Sequence, residues 1–197
     1  MRRLVLASTS PRRRALLKTH GYTFEVVPPQ VEEVSPEHLS PREMVVCNAC
    51  LKAASVARAQ ANAIVLGVDT LVAFEGRTLG KPADLEEAFA MLRALNGREH
   101  QVFSGVCIAS RGGVLRSFAE RSHVLFHQRT DLELRAYLAR IEPLDKAGAY
   151  AAQEDGGAMI AKIEGSITNV IGLPMEALAR ELTALGIPTA QVAARLR

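Results

Sequence analysis

Three consecutive arginines, Arg12, Arg13 and Arg14, follow Ser8-Thr9-Ser10-Pro11 near the start of the chain. Serine before proline is a common way to open a helix, with the serine as cap and the proline at the first helical position. The arginines therefore fall in a first turn, where cations oppose the helix macrodipole by about 0.3–1 kcal/mol each at low salt. An anion would remove that penalty. Free helix N–H groups, the hydroxyls of Ser8 and Ser10 and guanidinium forks together make a phosphate cradle. The competing reading is a basic, solvated helix face.

A second group lies in Gly67-Val68-Asp69-Thr70, where an acid interrupts an apolar, strand-like run. Charged residues are almost never buried unpaired, so Asp69 should face a cleft, a metal or a cation; a turn or cap is the alternative. Leu79-Gly80-Lys81-Pro82 offers a lysine on a constrained loop soon after, Glu33 lies in an earlier loop, and Lys52 sits on a long helical stretch. The inventory is two acids, two lysines and an arginine cluster. Phosphoanhydride hydrolysis uses such a set: charge neutralisation and positioning dominate, hard oxygen ligands hold magnesium, and a carboxylate orients or deprotonates water.

The elements that must hold these groups alternate between strand and helix. Arg3 to Ala7 reads as a strand feeding the Pro11 helix, and Thr23 to Val27 as a second strand before a proline-rich, acidic loop. Ser40-Pro41-Arg42-Glu43 combines a capping box with proline at the first position and opens a helix toward Gln60. Ile64 to Phe74 is a strand, Glu75-Gly76 a turn into Arg77 to Leu79, and Asp84 with Glu87 caps a helix that Asn96-Gly97 ends. Two long strands flank Gly112-Gly113 as an antiparallel pair from about Gln101 to Phe126. Thr130 with Glu133 starts a helix to about Arg140, Leu144 to Gly157 is loop-rich, Met159 to Glu164 is a strand, and Pro174 opens a helix to Leu185-Gly186. A weakly helical tail follows from Thr189. The expectation is an α/β fold with a mixed sheet.

Composition narrows the class. With 197 residues and 48% hydrophobic content the chain can bury a sizeable core as one large domain or two lobes about a cleft. No run approaches the roughly 20 apolar residues of a membrane span, and the N-terminus lacks a signal-peptide pattern, so a soluble, unprocessed protein is expected. The three cysteines, Cys47, Cys50 and Cys107, suit a reducing compartment, and cytosol is the expected address. Cys47 and Cys50 form C-x-x-C without a second ligand pair and read as helix residues near the core. The histidines lack metal-ligand spacing, and Gly156-Gly157 reads as a turn. A net charge of +3 is too small to argue for a nucleic-acid partner.

Four ordered blocks resemble the Maf family. They are Leu6-Ala7-Ser8 through Ser10-Pro11-Arg12-Arg13; Gly67-Val68-Asp69-Thr70 with Gly80-Lys81-Pro82; Leu144-Asp145-Lys146-Ala147-Gly148-Ala149-Tyr150; and Gly165-Ser166 with Asn169-Val170-Ile171-Gly172-Leu173-Pro174. The resemblance implies one Maf-like domain over 1–197, with an elongated mixed sheet, flanking helices and two lobes around a central cleft, akin to the inosine triphosphatase fold. It also implies a nucleoside triphosphate pyrophosphatase that cuts between the α and β phosphates. Carried over by residue, the water-activating acid falls on Asp69, and the cleft charges on Arg13, Glu33, Lys52 and Lys81. The substrate-selecting positions fall on Arg12, Thr70 and Gln153, the combination of the branch acting on dTTP and UTP.

Magnesium, or manganese in its place, is expected to bridge Glu33 and Asp69. Arg12, Arg13, Lys52 and Lys81 are expected to neutralise phosphates, with Ser8 and Ser10 holding the first turn against them. A homodimer is also implied. The alternatives are a non-catalytic nucleotide-binding regulator of septum formation, and the same enzyme acting on a modified guanine. Three departures from the family pattern stand out: Glu154-Asp155 after Gln153; Cys47-Asn48-Ala49-Cys50 in place of a more usual Leu-Ala; and Ser104 where threonine is common. The last two read as packing changes.

Overall fold

The computed structural model describes residues 2–36, 38–153, 156–187 and 189; Glu154, Asp155 and the tail after Thr189 lie outside the described residues. The elements run β1 (Arg3–Ala7), α1 (Pro11–Thr19), β2 (Glu25–Val26), α2 (Pro41–Ala57), β3 (Ala63–Phe74) and β4 (Arg77–Leu79). They continue with α3 (Leu85–Leu95), β5 (Glu99–Ser110), β6 (Gly113–Phe126), α4 (Asp131–Leu138), β7 (Ile160–Glu164), α5 (Ile167–Ile171) and α6 (Met175–Ala184). The seven strands form one mixed sheet in the order β2-β1-β3-β5-β6-β7, with β4 paired to β3. No helix among the described residues is long and apolar enough to cross a membrane. The chain divides into two compact units, residues 1–69, 104–120 and 172–197 in the first and 70–103 and 121–171 in the second.

In the first unit β1 runs parallel to both neighbours, with Leu4 opposite Ile64, Leu6 opposite Leu66, and Val5 opposite Glu25 on β2. Leu4–Ala7 and Ala63–Asp69 are buried without alternation, as central parallel strands covered on both faces should be. Helix α2 starts at the capping box read from sequence, Ser40 and Glu43 exchanging side-chain and backbone hydrogen bonds, with Pro41 at the first position. The helix lies almost directly on the sheet. A Cβ on Gly67 would stand 2.1 Å from the Ala49 carbonyl oxygen, and one on Gly105 would stand 2.3 Å from the Val45 carbonyl. Small side chains make this approach workable: Val5, Ala7, Ala49, Ala53, Ala57, Ala63, Val65, Cys107 and Ala109 pack as one cluster. The cysteines are free thiols.

In the second unit β3 turns into β4 through Glu75-Gly76, both at positive φ, with Phe74 facing Arg77 across a two-residue loop. Asp84 caps α3, and Thr130 with Glu133 forms the capping box of α4. Leu92, Leu95, Val102, Phe126, Leu134, Tyr137, Tyr150 and Met159 fill the core of this unit. The loop-rich stretch contains two short 3-10 turns, Pro143–Asp145 and Ala147–Ala149, and the Gly148 N–H donates to the Gly80 carbonyl at 3.0 Å. That bond ties the loop before Lys81 to the third motif block.

Candidate active site

Asp69 closes the uninterrupted buried run of β3 and is only 6% exposed. Its carboxylate survives there because α2 brings it two donors one helical turn apart. Lys52 Nζ lies 2.7 Å from Asp69 Oδ1, and Asn48 Nδ2 donates to Asp69 Oδ2 at 3.3 Å. The same ammonium reaches Glu33 Oε1 at 2.6 Å and the Val68 carbonyl at 3.4 Å. Lys52 and Asp69 are buried, whereas the Glu33 side chain keeps 57% of its surface in solvent. One cation therefore gathers a buried and an exposed carboxylate, and the two oxygens converge on one point.

The turn between β1 and α1 supplies the remaining charge. Ser10 caps α1, its hydroxyl accepting from the Arg13 N–H. The Ser8 hydroxyl accepts from the Ser10 N–H at 3.2 Å and from Arg13 Nη1 at 3.1 Å, while Arg13 Nε donates to the Gly172 carbonyl at 3.0 Å. The Arg13 guanidinium is thus fixed on two sides. Burial pushes its pKa from 12.5 down to about 10; Asp69 works against that shift, Arg12 adds to it, and Glu33 opposes it. Arg13 stays charged at neutral pH and senses Arg12, Asp69 and Glu33 together, so residues far apart in sequence share one electrostatic neighbourhood.

Such an arrangement can bind a polyanion beside a carboxylate. Arg12, Arg13 and Lys52 outweigh Asp69 and Glu33, which leaves excess positive charge for an anionic ligand. The donor set also fits a small hard cation. Two carboxylate oxygens lie within 2.6 and 2.7 Å of one ammonium, and magnesium takes one or two protein carboxylates with the rest from phosphates and water.

The family model described as Maf-like protein matches residues 3–185. This chain belongs to the Maf family. A protein of Pelotomaculum thermopropionicum named dTTP/UTP pyrophosphatase is 46% identical over 187 residues, covering 94% of this chain and 98% of its own length. One of Bacillus anthracis with the same name is 43% identical over 95% of this chain and 97% of its own. A solved structure from Mycobacterium abscessus, titled nucleoside-triphosphatase / dITP/XTP pyrophosphatase, aligns over 93% of this chain and 94% of its own at 16% identity, with a TM-score of 0.46. That likeness is too loose to carry an argument.

Within this Maf chain the sequence-expected residues separate by unit. Ser8, Ser10, Arg12, Arg13, Glu33, Lys52 and Asp69 belong to the first, and Thr70, Lys81 and Gln153 to the second. Thr70 directly follows Asp69 on β3 and is half-buried, while Lys81 and Gln153 are exposed. Sequence reasoning missed Asn48, read as part of a packing change, yet its amide holds Asp69 and is itself buried. The signal was available: an amide one turn before Lys52 on an otherwise small, apolar helix face. It also missed the Gly172 carbonyl as the anchor of Arg13. The fourth block, to which Gly172 belongs, also carries structural bonds, Asn169 Nδ2 donating to the Val102 carbonyl and to Ser122 Oγ.

Proposed function

We propose that this chain is a nucleoside triphosphate pyrophosphatase that hydrolyses dTTP and UTP to the monophosphate and pyrophosphate. The observation that carries the reading is the buried Asp69 carboxylate held by Lys52 and Asn48, with Glu33 and Arg13 beside it. The names of relatives sharing 43–46% identity over nearly the full chain support the substrate class. In this reading Asp69 takes the proton of the water that attacks the α-phosphorus. Arg12, Arg13, Lys52 and Lys81 neutralise phosphate charge, while Ser8 and Ser10 keep the α1 turn and Arg13 in place. Thr70, Gln153 and Arg12 select the base, on the family resemblance alone.

Glu33 and Asp69 would hold magnesium, or manganese in its place; the ion supplies charge neutralisation on the triphosphate. A homodimer completes the reading on the same resemblance, and the three free cysteines support a cytoplasmic address. The test is hydrolysis of dTTP and UTP with magnesium in ¹⁸O-labelled water. The label should enter the monophosphate and pyrophosphate should accumulate, with Asp69→Asn slower by roughly 100-fold or more. Release of orthophosphate, or label in the pyrophosphate, would overturn the cleavage position.

A further inference from the structure

Asn48 sits on α2 one turn before Lys52 and is 3% exposed. Its Oδ1 accepts from the Val34 N–H at 2.8 Å, and its Nδ2 donates to the Val34 carbonyl at 3.0 Å and to Asp69 Oδ2 at 3.3 Å. The orientation of the amide follows from chemistry. A backbone N–H can only donate, so the atom facing it must be the oxygen, and both amide hydrogens are left for the Val34 carbonyl and Asp69. The side chain thus pairs with Val34 as a neighbouring strand would and still reaches the carboxylate.

Lys52, four residues on, takes the other oxygen of Asp69 at 2.7 Å and also Glu33 at 2.6 Å. One turn of α2 therefore grips both oxygens of Asp69 and two successive residues of the loop, one through a neutral amide and one through a charge. We infer that Asn48 is a positioning residue: it clamps the segment carrying Glu33 to the Asp69 carboxylate, so that the two acids are presented together. This rests on the reading of Asp69 as the water-activating acid.

A leucine, as in the more usual Leu-Ala pattern, would fill the space without a hydrogen bond. The Val34 peptide would turn to water, and Asp69 would keep one anchor instead of two. Aspartate at the same place would retain the acceptor for the Val34 N–H but lose both donors and oppose the charge on Asp69. The two substitutions therefore separate the loop contact from the carboxylate contact.

The experiment has two readouts. In protein free of metal and nucleotide, hydrogen exchange at the Val34 amide should speed up by about tenfold or more in Asn48→Leu and remain close to wild type in Asn48→Asp. With dTTP and magnesium both variants should lose about tenfold in kcat with KM changed by less than about threefold, because an oriented group rather than a substrate contact is lost. Unchanged Val34 exchange in Asn48→Leu, unchanged kcat in both variants, or a loss carried wholly by KM would overturn the inference. Should Asn48→Leu fail to fold, Asn48→Asp decides through kcat and KM. If the wild-type chain releases no pyrophosphate, the function reading fails, while Val34 exchange still decides whether the clamp exists.

Discussion

Lys52 meets two carboxylates whose surroundings differ, and the difference has consequences for stability. The bond to Asp69 is buried at both ends, whereas Glu33 is largely in water. Removing one member of a buried pair strands the other charge and costs about 3 kcal/mol or more, while an exposed ion-pair partner contributes about 0–1 kcal/mol. Lys52→Met should therefore lower the melting temperature by roughly 5–10 °C, and Glu33→Gln by no more than about 3 °C. Equal losses in thermal melts of the two variants would show that the burial contrast does not govern the cluster. Asp69 and Arg13 stand out in the sequence because each puts charge where an isolated charge is costly, in an apolar strand and at a helix N-terminus, whereas Glu33 and Lys52 entered only as a loop acid and a helix lysine whose roles the family resemblance implied. Asn48 does not stand out, since a neutral amide on a helix raises no such alarm, and only the meeting of α2 with residues 33–34 reveals its use.

Helix α2 delivers both Asn48 and Lys52, so its seat on the sheet sets the site. That seat is made by two glycines, and Gly105 lacks the room for even a methyl: a Cβ there would lie 2.3 Å from the Val45 carbonyl and 2.7 Å from the Val46 nitrogen. Backbone on both sides cannot yield cheaply, so Gly105→Ala should cost about 1–3 kcal/mol or more and should lower turnover by lifting the helix. Gly112→Ala is the control, since its Cβ would meet only Ser110 Oγ at 3.8 Å. A denaturant midpoint for Gly105→Ala equal to that of the control would refute the close seating.

Capped helices such as α2, α3 and α4 could be read directly from their serine, threonine and aspartate signals. Helix α5 could not. Its five residues are too few to show a helical period, and the glycine and serine before it resemble a loop. β2 shrank from the expected Thr23–Val27 to Glu25–Val26, the two residues in ladder register with Val5 and Leu6 of β1, and the Val27 N–H still donates to the Leu6 carbonyl at 3.1 Å just past its end.

Global stability should carry the mark of one buried histidine. His100 is 2% exposed, its Nε2 lies 3.0 Å from the Tyr150 hydroxyl, and its ring packs edge-on to Phe126 and Tyr150. Burial holds its pKa down at about 4, against 6.5 for a free side chain, although the nearby Arg98 backbone works the other way. The folded chain therefore keeps this ring neutral where the unfolded chain protonates it. Between about pH 6.5 and pH 4 the unfolded state binds more protons, so stability falls as pH falls through that window and is unaffected above it. The difference amounts to about 3 kcal/mol once pH is below 4, with about 2 kcal/mol already lost at pH 5. Other groups add their own slopes at the acidic end, so the measurement must be differential. Unfolding free energies of wild type and His100→Phe, compared from pH 7.5 to pH 5, should show a steep fall in the first and a shallower one in the second. The phenylalanine variant loses the Tyr150 partner and starts lower, so the two curves should approach each other as pH drops; parallel curves would mean that His100 already accepts its proton in the folded protein.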